Sequence, residues 1–114
     1  MKNSVKILLL VMLCIMFVVN SGKADTQNWC GVYFQENNRS YLNIIRDDVA
    51  IGSSQCNHED YEDGRVLVRV MLDFNRGRST YAKWRKFAGH LIEVRGKYKN
   101  GTIDGVRLVR DLGS

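Results

Sequence analysis

Hydrophobic and polar positions change their spacing three times along the chain. From Ile7 to Val19, thirteen apolar residues follow one another without a break. From Gly31 to Phe74, short apolar runs alternate with polar residues and are cut by turn-forming clusters, the pattern of half-buried strands. After Ser79 the spacing turns helical, and after Leu91 alternation returns. The first strand is expected at Gly31–Gln35, ended by the polar turn Glu36–Ser40. A second contains Tyr41, Leu42, Ile44 and Ile45 and stops at Asp47–Asp48, with Val49–Ile51 as a short extension. Arg65–Phe74 forms the third. Val66, Val68, Val70 and Leu72 share one face of it, and Leu67, Arg69, Met71 and Asp73 the other. Asn57–Gly64, between the second and third, reads as a solvated acidic loop.

Ser79 or Thr80 is placed to cap a helix of about two and a half turns. Tyr81, Trp84, Phe87 and Ala88 form its apolar side, Lys83, Arg85 and Lys86 its wet side, and Gly89 its end. In Leu91–Lys99, Ile92, Val94, Gly96 and Tyr98 lie on one face, and Glu93, Arg95 and Lys97 on the other. Asn100-Gly101 is a strong two-residue hairpin signal, because both positions need positive φ. Thr102–Val109 returns. The order is strand, strand, strand, short helix, strand, strand.

Thirteen apolar residues are too few to span a bilayer, which needs about 20. Lys2 and Lys6 precede the run, and Gly22 and Ala24 sit three positions and one position before a cut after Ala24. Positive start, short apolar middle and small residues at the exit describe a secretory signal peptide. Residues 1–24 are therefore expected to be removed, leaving one domain over residues 25–114 with no transmembrane span. The expected location is the periplasm or the exterior. Cys14 lies within the apolar run after the bulky Leu13, which does not fit a lipidation site.

Cleavage alters the charge. The whole chain carries a formal net charge of +5, but Lys2, Lys6 and Lys23 leave with the signal. What remains is divided: residues 25–73 hold four Arg against nine acids, whereas residues 74–110 hold ten Lys or Arg against Glu93 and Asp104 alone. An electrostatic partner therefore has to meet the second half. Two cysteines survive, Cys30 and Cys56. An even pair in an exported chain reads as one disulfide.

The catalytic motifs that mark hydrolases, P-loop proteins and zinc proteases are missing, as is Cys-x-x-Cys. His58 stands beside Glu59, Asp60, Glu62 and Asp63, but without calcium-loop spacing. His90 has no nucleophile near it in sequence. No catalytic residue, metal site or cofactor is assigned, and the protein is read as a non-enzymatic binding module. Arg95, Lys97 and Arg107, followed by Arg85 and Lys86, are the candidate ligand-binding residues. They point to an anionic glycan, an acidic protein or a lipid surface, and export argues against nucleic acid. Trp84 is read as a core residue placed by the helix.

The element order, together with Phe87-Ala88-Gly89-His90-Leu91-Ile92-Glu93-Val94-Arg95-Gly96-Lys97-Tyr98, Ile103 and Val106-Arg107-Leu108-Val109, resembles the OB-fold superfamily and its small exported bacterial domains. The resemblance implies an all-β domain with one short helix, a five-stranded Greek-key barrel with the helix between strands 3 and 4. It also implies a binding module of the bacterial envelope. The alternative it raises is an oligomeric sugar-binding subunit of a secreted, toxin-like assembly, since such rings are built from OB subunits of this size and element order. The oligomeric state is left open by the sequence.

Overall fold

The computed structural model describes residues 26–62, 64–75 and 78–114. The expected signal peptide, residues 1–24, lies outside them. Five strands, β1 (Gln27–Glu36), β2 (Arg39–Ile45), β3 (Leu67–Asp73), β4 (Leu91–Lys99) and β5 (Thr102–Asp111), close into a barrel in the order β1-β2-β3-β5-β4. A short helix lies between β2 and β3, α1 (Glu59–Glu62), and another between β3 and β4, α2 (Arg78–Trp84). This is the expected OB-like architecture. All neighbouring strands are antiparallel except β3 and β5, which run parallel over only three residue pairs, Met71–Asp73 against Thr102–Asp104.

Each strand supplies its inward-facing residues to one core. Trp29 and Tyr33 come from β1, Leu42 and Ile44 from β2, and Val70 and Leu72 from β3. Ile92 and Val94 come from β4, and Ile103 and Val106 from β5. Alternation fills a barrel this way because successive side chains point to opposite faces. Phe87 lies at one end of this core, with Phe74 and Trp84 against it. The Trp84 ring centroid lies 4.6 Å from that of Phe74, 5.4 Å from Phe87 and 5.5 Å from Tyr33. Trp84 is thus packed onto the core, and a helix of two turns is held by that contact.

Several sequence expectations shift. β1 begins four residues early, at Gln27, because it pairs on both sides: Gln27–Val32 with β4 and Gly31–Glu36 with β2. The Val49–Ile51 extension is instead part of the turn after a 3-10 segment, Arg46–Asp48. Ile51 is exposed there, while the Val49 carbonyl accepts the Trp29 indole N–H at 3.1 Å. β3 starts at Leu67, which leaves Val66 outside the core at 61% exposure. The helix starts at Arg78, so Ser79 and Thr80 lie in its first turn rather than at its cap, and a 3-10 turn, Arg85–Phe87, completes it. Gly89, at φ +82°, closes the segment as expected. β5 runs two residues further than expected, to Asp111.

The acidic segment is not a free solvated loop. A disulfide joins Cys56 to Cys30 on β1. The Tyr61 hydroxyl, on α1, donates to the Cys30 carbonyl, and His58 Nε2 lies 2.9 Å from the Leu112 carbonyl oxygen. Residues 56–61 therefore form a strap that ties the first strand to the end of the last. Burial pushes the Tyr61 phenol above its ordinary range, so it stays a hydrogen-bond donor at any physiological pH.

Candidate functional site

The cationic face is built by β4 and β5. Inward-facing Ile92, Val94 and Gly96 are buried, so the alternation turns Arg95 and Lys97 outward, and both are exposed. Register then decides which β5 residues join them. Arg95 lies directly opposite Arg107, whereas Lys97 lies opposite Asp104. Two steps along β4 face three steps along β5, the signature of a bulge. Gly105, at φ +62°, supplies the left-handed turn it needs. A second irregularity separates Glu93 from Val94, so that Val94 faces Leu108 while Glu93 faces Arg110.

The two ends of this face differ. Toward the C-terminus of β5, charge is neutralised. Arg110 grips Glu93 Oε1 through Nε at 3.0 Å and Nη2 at 2.7 Å. The other carboxylate oxygen of Glu93 accepts the Asn28 amide at 2.7 Å. Asn28 Oδ1 in turn accepts from Arg95 Nη1 at 2.9 Å. A hydrogen-bonded row thus runs Arg110–Glu93–Asn28–Arg95 across three strands. It orients the Arg95 guanidinium through a neutral amide and leaves its charge uncancelled. Among the described residues, no carboxylate lies within ion-pair distance of Arg95, Lys97 or Arg107.

Arg85 and Lys86 do not join this group. They are exposed on the 3-10 turn before β4, and Lys86 Nζ sits 5.2 Å over the Phe87 ring. The nearest part of β5 is its far end. There Asp111 pairs with Ile92, three residues along β4 from Arg95, or about 10 Å. The Asp111 carboxyl is held below its usual range, first by the Gly113 N–H and then by His90. His90 Nδ1 lies 3.0 Å from Asp111 Oδ1. The sequence-derived set therefore divides into a coherent trio, Arg95, Lys97 and Arg107, and two cations at the helix end of the barrel.

The outer face of β1, β2 and β3 holds a cluster that sequence reading passed over. Phe34 and Tyr41 stack with ring centroids 5.2 Å apart. The Arg69 guanidinium lies 4.7 Å from one ring centroid and 4.8 Å from the other, and Arg69 Nη2 is 3.0 Å from Glu36 Oε2. The signal was present as outward positions on three strands, but only the register brings Phe34 opposite Tyr41 and Tyr41 opposite Met71. Because Arg69 is already occupied by two rings and a carboxylate, the cluster is self-satisfied and offers a ligand less than the β4–β5 face. Among the described residues no three His, Cys, Asp or Glu side chains converge as a metal site, and no helix is long and apolar enough to cross a membrane. Compared with known protein families, curated proteins and solved structures, the chain matches none of them.

Proposed function

We propose that the protein is an exported, non-enzymatic binding module of the bacterial envelope whose β4–β5 face attracts an anionic partner. The observation that carries the reading is the pairing of Arg95 directly across from Arg107. Like charges in direct cross-strand register are unfavourable for the sheet itself. Here no acid pairs with either arginine, and Lys97 lies two residues along, facing Asp104 across the strands without an ion pair. An anion that bridges the two guanidiniums relieves the repulsion and gains charge-assisted hydrogen bonds. Guanidiniums suit sulfate, phosphate and carboxylate groups, as carried by an acidic glycan, an acidic protein surface or an anionic lipid headgroup. The Cys30–Cys56 disulfide supports an oxidising compartment and hence the export reading.

Heparin serves as the probe polyanion. Binding should weaken steeply between low and physiological salt, where the screening length falls to about 8 Å. Charge reversal at Arg95, Lys97 and Arg107 should abolish binding while changing the melting temperature little, since all three are exposed. Equal binding by parent and triple variant would refute the reading. Intact mass of protein recovered from the envelope tests export separately: it should begin near Asp25.

A further inference from the structure

The strand pair that carries the cationic trio also carries an exposed aliphatic pair. β5 reads Arg107-Leu108-Val109-Arg110, with Leu108 at 38% exposure and Val109 at 44%. Two features of the strand leave them in water. β5 pairs with β3 only at Thr102–Asp104, so Val106–Asp111 has β4 on one side and no strand on the other. Leu108 faces the buried Val94, yet β3 does not extend far enough to cover it. Val109 is the extra residue at the irregularity between Glu93 and Val94, and it has no partner on β4. Adjacent aliphatic side chains on an open edge, with an arginine on either side, give the core little and mark a contact surface.

The charges around this pair are of both signs, and their placement matters. Asp104 faces Lys97, and Asp73 lies beside Asp104 on β3. Glu93 is held by Arg110, and Asp111 lies against His90. The acids without an ion pair therefore stand at the seam end of the ribbon, and those at its other end are engaged. Between the two ends Arg95 and Arg107 face each other, next in line to Leu108 and Val109.

We infer that the β4–β5 ribbon docks on an anionic lipid surface, with Arg95 and Arg107 against headgroup phosphates and Leu108 and Val109 at the boundary with the acyl chains. The inference rests on the anion-attracting reading of the trio and selects its partner. A glycan would engage the guanidiniums and leave the aliphatic pair in water. An acidic protein would need a fitted surface, and a stable protein interface buries about 1,200–2,000 Å², far more than two half-exposed side chains begin to supply. A lipid surface offers anions and apolar chains in adjacent layers and needs no fitted shape. The open edge also sets the depth. Its unpaired N–H and C=O groups require water or headgroups, so the strand lies at headgroup level and only the aliphatic side chains reach deeper.

Vesicle flotation of the exported chain tests this, with heparin binding measured in parallel. The parent should float with phosphatidylcholine vesicles containing phosphatidylglycerol, float poorly with phosphatidylcholine alone, and detach as salt rises. Leu108→Ser with Val109→Ser should weaken vesicle binding by about tenfold and leave heparin binding unchanged. Arg95→Glu with Arg107→Glu should remove both. Val66→Ser is the control, since Val66 is 61% exposed but lies on the far side of the seam. It stands five residues before Met71, and Leu108 stands six after Thr102, the residue that Met71 faces in parallel register. The two are thus separated by about 35 Å along the strands, and Val66→Ser should change neither binding. Should the double serine variant lose its near-ultraviolet circular dichroism, Val109→Ser, at the more exposed position, is read instead. An aliphatic variant that floats as well as the parent, or one that loses heparin binding too, would overturn the inference. So would a parent that binds heparin but not anionic vesicles, an outcome that leaves the anion reading standing; a parent that binds neither overturns both.

Discussion

Gly96 sits where the barrel leaves no room for a side chain, and replacing it by alanine measures how much the β4–β5 geometry depends on that space. A Cβ at this position would meet Ile103 Cγ2 at 2.5 Å and the Asp104 carbonyl oxygen at 2.7 Å. Carbon atoms in contact prefer about 3.5–4.0 Å, so one neighbour has to retreat by roughly 1 Å. Ile103 is fully buried and cannot swing away. The Asp104 oxygen belongs to backbone opposite Lys97 on one side and Asp73 on the other. Moving it opens the three-residue seam that closes the barrel. Overpacking a tight core costs about 1–3 kcal/mol, and a clash against backbone in the thinnest seam belongs at the upper end. For a domain of this size each kcal/mol moves the melting temperature by about 4–8 °C, so Gly96→Ala should lower it by roughly 10–20 °C. Gly101→Ala is the control. Nothing lies within 4 Å of its added Cβ, and only its φ of +82° is unfavourable, a penalty of about 1 kcal/mol. Thermal unfolding followed by circular dichroism compares the two. A Gly96→Ala protein that melts within a few degrees of the parent, or a Gly101→Ala protein that is the less stable of the pair, would refute the packing argument.

Two further outcomes follow from the strap and the C-terminus. The joined cysteines are 26 residues apart, for which loop entropy gives about 3.5 kcal/mol. The double substitution Cys30→Ala, Cys56→Ala should lower the urea midpoint by a corresponding amount, and an unchanged midpoint would show that the strap holds β1 without its covalent link. Asp111→Asn should destabilise the protein at neutral pH but not in strong acid. The folded carboxyl is held below its ordinary value, so its contribution is complete above about pH 4 and is lost as the pH falls through the lower folded value. Melting curves of parent and variant should therefore converge on acidification, and a constant gap at all pH values would contradict this.

The later part of the fold was legible because its signals were local. Alternation in Leu91–Lys99 placed Ile92 and Val94 inward and Arg95 and Lys97 outward, as observed. Asn100 and Gly101 adopt φ of +51° and +82°, the turn that the dipeptide announces. The earlier part was less legible because its boundaries are set by distant partners. Gln27 to Trp29 carry no strand pattern of their own. They are extended because β4 lies alongside them. Val66 continues the apolar face of β3 in sequence, yet no core lies opposite it, since the strand that would have covered it pairs only from Met71 onward. The acidic segment looked solvated by composition. Its three anchors, Cys56, His58 and Tyr61, meet Cys30 and Leu112, and each of these contacts spans 26 residues or more in sequence.

The candidate site was legible to the same degree and for the same reason. A run of cations after residue 74 shows that charge is present, but a charge becomes a site only where neighbours fail to cancel it. That failure is a matter of register. One residue inserted at Gly105 sets Arg107, rather than Val106, opposite Arg95 and sets Asp104 opposite Lys97. Three residues further along β5, the same strand pair holds Arg110 against Glu93 and neutralises both. The bulge thus separates an end of the face where Arg110 is ion-paired from one where Arg95 and Arg107 face each other without an ion pair. Shifting β5 by one position would turn Arg107 toward the core and dissolve the trio, since a one-residue slip exchanges the two faces of a strand. The tight packing at Gly96 and the left-handed turn at Gly105 hold the strand against that slip and keep Arg95, Lys97 and Arg107 on one exposed face, the arrangement on which the proposed anion binding rests.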